Sequence, residues 1–280
     1  NSGMAVKKYL PDLNRFSLVT ALSTLMLGLT YALPPSSSGN TANILGINFS
    51  FEVNLFSLFP LLIAIIALIG ALWVLRSHPH LQEERRSTWQ LLPNGVLPAL
   101  SLFILAFTLR EMARSNVWWV VYVLGSAFFG LVLAAEYNVL DFRYELHPIA
   151  SLGLIGLSHS LFLILAVVLR TGRMRLYVIL PLILLAAAFI SVRTINLRTQ
   201  GAWKPDYALL IAILGAQLAV GLQYFFLNPM QYGLVLTAAL YLLISTACAI
   251  IQKLKLREFV VEPVLMCLLC VSLLLLIGRL

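Results

Sequence analysis

Ionisable and metal-ligating side chains are scarce in this chain, so each one inside an apolar run is a candidate for chemistry. His159 stands deep in such a run, flanked by Ser158 and Ser160 and preceded by Ser151, Gly153 and Gly156. Small residues at that spacing allow close helix approach, and a neutral imidazole can hydrogen-bond across the contact; the sharper reading is a ring that carries a proton or touches a ligand. The densest polar group runs from Glu136 through Tyr137, Asn138, Asp141, Arg143, Tyr144 and Glu145 to His147. It joins the apolar run that closes near Glu136 to the one that carries His159. An interfacial loop with local ion pairs explains most of it, with a transport or lipid-modifying site as the alternative. At about 1.5 Å rise per residue, Glu136 and His159 differ in depth by roughly 9 Å, so a direct pair needs tilt or a bridging water.

Uncharged polar residues form three further stripes at helical spacing. Ser17, Thr20, Thr24, Gly28 and Tyr31 align in the first; Gln217, Gly221 and Tyr224 in the second; Thr237, Tyr241, Ser245, Cys248 and Gln252 in the third. Such stripes are expected to turn inward, where hydroxyls and amides find partners. The short Asn228-Pro229 connection makes the last two neighbours. Gln217, Tyr224, Tyr241 and Ser245 are therefore candidates to line a cavity with few charges, suited to an apolar or amphipathic molecule.

Motifs that spell known chemistry do not complete it. Gly156-Leu157-Ser158 resembles the G-x-S of rhomboid intramembrane proteases, which pair that serine with a histidine on a later helix. No histidine follows His159. Glu83-Glu84-Arg85-Arg86 resembles the paired glutamates of CAAX-type intramembrane proteases, but here the pair sits in a polar connection rather than on a membrane helix. His78 and His80 share that connection as a metal pair without further ligands. Cys267-Leu268-Leu269-Cys270 lies in a leucine run and lacks the electropositive setting that activates a thiol. Arg110, Glu111 and Arg114 read as snorkelling charges at a helix end. No catalytic residue, metal or cofactor is expected.

The elements that must position these residues are set by hydrocarbon. Of 280 residues, 61% are hydrophobic and 11% charged, and mean hydropathy is +0.94; a soluble domain carries about 25% charged residues. The formal charge of +8 sits in short clusters between apolar runs, which is a membrane-orientation pattern and not a nucleic-acid footprint. A spanning helix needs about 20 mainly apolar residues. Nine segments qualify, at 15–33, 53–75, 91–109, 117–140, 149–169, 176–192, 207–227, 232–251 and 259–277. The sixth is the shortest, and Pro93, Asn94, Gly95 and Pro98 weaken the third, so those two are where a miscount would occur. No lipid-facing backbone group can go unpaired, and runs of this length are not barrel strands, so the expected fold is an all-α polytopic bundle.

An N-terminus on the cytoplasmic side leaves Arg110, Arg114, Arg170, Arg173, Arg175 and Arg279 outside and every other Lys and Arg inside. That puts the C-terminus outside the cytoplasm; the Arg170 to Arg175 cluster argues the other way. Trp73, Trp89, Trp118, Trp119 and Trp203 fall near expected helix ends, as interfacial anchors should. The external connection at 34–52 opens on Pro34-Pro35-Ser36-Ser37-Ser38-Gly39. It then alternates through Ile47, Phe49, Phe51 and Val53, which suggests a short extended piece at the outer surface. Asn1-Ser2-Gly3 reads as a tag remnant, so residues 1–14 are taken as tag and cytoplasmic lead and 15–280 as one transmembrane domain. The expected function is non-catalytic: binding or passing a lipid-like or weakly charged molecule in a bacterial cytoplasmic membrane, or serving as a membrane subunit of a larger complex. Membrane lipids and other membrane subunits are the expected partners. The alternatives are a small-solute or ion transporter using Glu136 and His159, and a lipid-modifying enzyme.

Overall fold

A computed structural model describes residues 12–32, 40–44, 47–51, 58–78, 88–112, 116–140, 147–172, 176–199, 201, 203–253 and 256–277. Among them are nine helices: α1 Leu13–Leu29, α2 Phe59–Leu75, α3 Thr88–Glu111, α4 Asn116–Val139, α5 His147–Thr171, α6 Leu176–Arg198, α7 Pro205–Gln223, α8 Pro229–Gln252 and α9 Leu256–Ile277. Each overlaps one of the apolar segments. Two strands, β1 Asn40–Ile44 and β2 Ile47–Phe51, pair antiparallel between α1 and α2, with Ile44 opposite Ile47 and Asn40 opposite Phe51. The extended piece expected near Ile47 thus finds its partner in the preceding residues of the same chain.

Among the described residues six helices are long and apolar enough to cross a membrane: α3 to α8. The third and sixth, marked by the sequence as the weak ones, are continuous helices of 24 and 23 residues. Pro93 and Pro98 lie inside α3 without ending it. The Ser101 hydroxyl donates to the Pro98 carbonyl at 2.7 Å. The shorter apolar helices are instead α1 and α2, at 17 residues each, while α9 has 22. The sixth helix also runs on past Val192 to Arg198, which carries Arg193 and Arg198 on a helix and not in a loop.

The chain divides into two compact units, Asn1–Leu140 and Asp141–Leu280. In the first, α2 packs on α3, α3 on α4, and α1 against all three. Its core includes Leu27, Ile63, Ala71, Leu102, Trp118 and Phe129, all almost wholly buried. Close approach depends on small residues: a Cβ added to Gly70 would stand 2.8 Å from Val19 of α1, and one added to Gly125 would stand 2.8 Å from Leu105 of α3. In the second unit, α8 is the central helix, in contact with α5, α6, α7 and α9. A capping box of Asn228 and Gln231, with Pro229 at the first turn, starts it. Large apolar side chains such as Ile69, Leu124, Leu131 and Leu152 are exposed on the outer faces, as hydrocarbon requires and water penalises.

Candidate functional site

Neighbouring helix ends bring one polar network together in the second unit. Gln252, at the end of α8, donates its side-chain amide to the Arg198 carbonyl at the end of α6, at 2.7 Å. Like ends of α6 and α8 are thus level. Helical side chains lean toward the N-terminus, so the Arg198 guanidinium turns back along α8 toward residues about two and three turns before Gln252. There Nη1 donates to Ser245 Oγ at 3.3 Å and Nη2 to the Tyr241 hydroxyl at 3.0 Å, while the guanidinium carbon sits 5.1 Å from the Tyr241 ring centre. From α9, Glu262 brings Oε1 to Arg198 Nη2 at 2.7 Å, and the Tyr241 hydroxyl donates to the same oxygen. The arginine side chain is 17% exposed and the glutamate 54%. A charge pair among apolar helices is costly to place and marks a functional candidate.

His159 closes the network on the α5 side. Its ring meets the Tyr241 ring edge-on at 5.3 Å between centres. Nδ1 lies 2.8 Å from the Ile155 carbonyl, which only accepts, so Nδ1 carries a proton. In the neutral ring Nε2 is the acceptor, and it is buried without a hydrogen-bond partner among the described residues. The Ser191, Thr194 and Thr237 hydroxyls are buried in the same condition. Ser191, Thr194 and Arg198 follow one another at helical spacing along α6, as Thr237, Tyr241 and Ser245 do along α8. The result is a polar seam inside apolar surroundings. It can recognise charge and hydrogen-bonding groups through one guanidinium, one carboxylate, one phenol and an open imidazole nitrogen.

Sequence-singled residues fall on three kinds of place. Tyr241, Ser245 and His159 come together as described. Gln217 and Tyr224 do not join them: Gln217 is exposed and Tyr224 is 80% exposed. The expectation that the α7 stripe turns inward fails because its other face carries Ala208, Ala212, Gly215, Ala216 and Ala219, which are buried. Small residues let α7 lie close to α6, and that contact outweighs the few hydrogen bonds a polar stripe would gain. Gln217 instead borders an open apolar groove of about 310 Å³ with Leu180, Leu184, Ile213, Ala216 and Val220. Gly153 and Gly156 also differ from expectation, since a Cβ on either would meet open space and neither brings a helix close to α5.

Glu136 is fully buried in α4, in the first unit, and engaged with neighbouring residues. Beside it in sequence, Tyr137 packs its ring 4.6 Å from that of His78, both almost wholly buried. His147 opens α5 half-buried. Asp141, Arg143 and Glu145 lie outside the described residues, as do His80 and Glu83-Glu84-Arg85-Arg86. Among the described residues no three His, Cys, Asp or Glu side chains are grouped to hold a metal ion. Cys248, Cys267 and Cys270 are free thiols.

The sequence reading missed Glu262 and undervalued Arg198. The signal for Glu262 was present, an acidic residue inside an expected span and just before Pro263. Arg198 was assigned to a loop because the apolar run was ended at Val192. No curated protein and no solved structure matches the chain. Residues 37–277, a span that contains every residue of the seam, match the family described as protein of unknown function (DUF5656), and the chain belongs to that family.

Proposed function

We propose that this is a multi-pass protein of the cell membrane, in bacteria the cytoplasmic one. In this reading its nine helices cross the bilayer with the N-terminus inside and the C-terminus outside. It binds or passes a lipid-like or weakly charged molecule and does so without bond chemistry. The observation that carries this reading is the seam of Arg198, Tyr241, Ser245 and His159, which leads from a buried imidazole to a half-exposed carboxylate at Glu262. Hydroxyls and a paired charge of this kind bind polar groups of an amphiphile, whose apolar part the exposed aliphatic faces accommodate. Membrane lipids are the nearest such partners, and other membrane subunits would meet the same faces.

The test is native mass spectrometry of protein released from mild detergent. A co-purified amphiphile that is depleted by Arg198→Gln and Tyr241→Phe is the expected result. Folded wild-type protein with no retained small molecule under any release condition overturns the reading.

A second reading, transport of a small solute or ion, is favoured by one observation: the buried Nε2 of His159 has no hydrogen-bond partner among the described residues. Buried Glu136 is the companion titrating group in that reading. Uptake into proteoliposomes that is unchanged by Glu136→Gln and His159→Ala removes it.

A further inference from the structure

Arg198 is held in place by more than its carboxylate. Ser245 takes Nη1, the Tyr241 ring lies under the guanidinium, and Gln252 fixes the backbone carbonyl of the same residue. All of these partners are on α8. The donors that converge on Glu262 Oε1, namely Arg198 Nη2 and the Tyr241 hydroxyl, therefore keep their positions whether or not Glu262 is there. They form a two-donor cradle for an anionic oxygen.

Glu262 is the less anchored member. Its side chain is 54% exposed against 17% for Arg198. Its helix packs on α8 and reaches α6 through the Glu262–Arg198 pair. An ion pair with one exposed partner contributes little net stability, because solvent or headgroup dipoles replace what is lost. A second anion of similar geometry can exchange with it. Arginine suits this exchange, since its fork donates to carboxylate and phosphate oxygens alike.

We infer that Arg198 and Tyr241 form a binding site for the phosphate of an anionic membrane lipid, with Glu262 as the built-in carboxylate that the lipid displaces. This rests on the amphiphile-binding reading above and names the headgroup. A lipid source, as opposed to free phosphate, is favoured by the setting. The cradle lies among apolar helices, and Leu265, Leu268 and Leu269 continue the exposed face of α9 beyond Glu262.

The test uses the full chain in nanodiscs of mixed phosphatidylcholine and phosphatidylglycerol, with retained lipid counted after gentle detergent release. Wild type retains phosphatidylglycerol above its share of the bilayer. Removing the competing carboxylate by Glu262→Gln raises that enrichment about fivefold, the scale of a part-exposed ion pair. Arg198→Gln abolishes it, and the double variant behaves like Arg198→Gln. Intrinsic tryptophan fluorescence verifies folding of each variant, and Glu262→Asp, which keeps the charge, stays near wild type. Equal retention of both lipids in wild type and Glu262→Gln overturns this inference and leaves the broader binding reading standing, whereas loss of every lipid from wild type overturns both. Inorganic phosphate that is retained with no lipid preference also overturns it, by assigning the cradle to a free anion.

Discussion

Tyr241 accepts a hydrogen bond from Arg198 and donates one to Glu262, so its hydroxyl joins three helices through one oxygen. Tyr241→Phe keeps the ring under the guanidinium and deletes both bonds. Hydrogen bonds to charged groups contribute about 1.5–3 kcal/mol each, less where a partner is exposed as Glu262 is. A loss of about 1–2 kcal/mol in detergent-monitored unfolding is the expected outcome. A double-mutant cycle with Glu262→Gln should return a coupling above about 0.5 kcal/mol, and additive effects would mean that the hydroxyl and the carboxylate do not interact. His159 gives the opposite expectation. Its Nε2 has no hydrogen-bond partner among the described residues, so His159→Phe deletes only the Nδ1–Ile155 bond and keeps an aromatic ring against Tyr241, and should change stability by no more than about 1 kcal/mol. A loss well beyond that of the single Nδ1–Ile155 bond would mean that Nε2 has a partner as well. Of these residues, His159, Tyr241 and Ser245 were legible in the sequence because polar groups at helical spacing in an apolar run stand out. Glu262 was not joined to them because its partner lies 64 residues away, a separation no local pattern encodes.

At the scale of elements, apolar run length located the nine helices among the described residues, six of them long and apolar enough to cross a membrane, where hydrocarbon leaves the backbone no other way to satisfy its hydrogen bonds. Which face of each helix turns inward was less legible. On α8 the polar stripe and the buried face coincide, whereas on α7 the alanine and glycine face is buried and the polar one is not. Two signals compete for the interior of a membrane protein, small side chains and polar ones, and the winner depends on the neighbour that the sequence of one helix does not describe. The α5–α8 contact shows how tight the small-residue mode is. A Cβ on Gly233 would stand 2.7 Å from Val167 Cγ2 and 3.0 Å from Leu163 Cδ1. Gly233→Ala should therefore cost about 1–3 kcal/mol as overpacking, measured as a lowered unfolding midpoint in detergent. Gly156→Ala, with nothing near its Cβ, should be neutral or slightly stabilising through helix propensity. Equal effects at the two sites would mean that α5 and α8 do not approach as described.

For the whole molecule, the number and direction of crossings are a question of parity. Asn116 begins α4 and Asn228 immediately precedes α8, so α4 to α7 lie between them. If all four cross, both residues face the same side, and the cytoplasmic N-terminus proposed above puts that side outside. Lys204, just before α7, then faces the cytoplasm. Cysteine placed at each position, in a background with Cys248, Cys267 and Cys270 replaced, converts this into a labelling pattern. Asn116→Cys and Asn228→Cys should react with a membrane-impermeant maleimide in intact cells, and Lys204→Cys only after permeabilisation. The inverse pattern would keep the crossings and reverse the orientation. Asn228→Cys and Lys204→Cys labelling alike would mean that α7 does not span. Asn116→Cys and Asn228→Cys labelling differently would mean that an odd number of the helices α4 to α7 cross. Because Arg198 and Gln252 share one end of the second unit, a reversed result would also move the anion cradle from the cytoplasmic to the outer leaflet. The labelling experiment therefore decides which leaflet's lipids can reach Arg198.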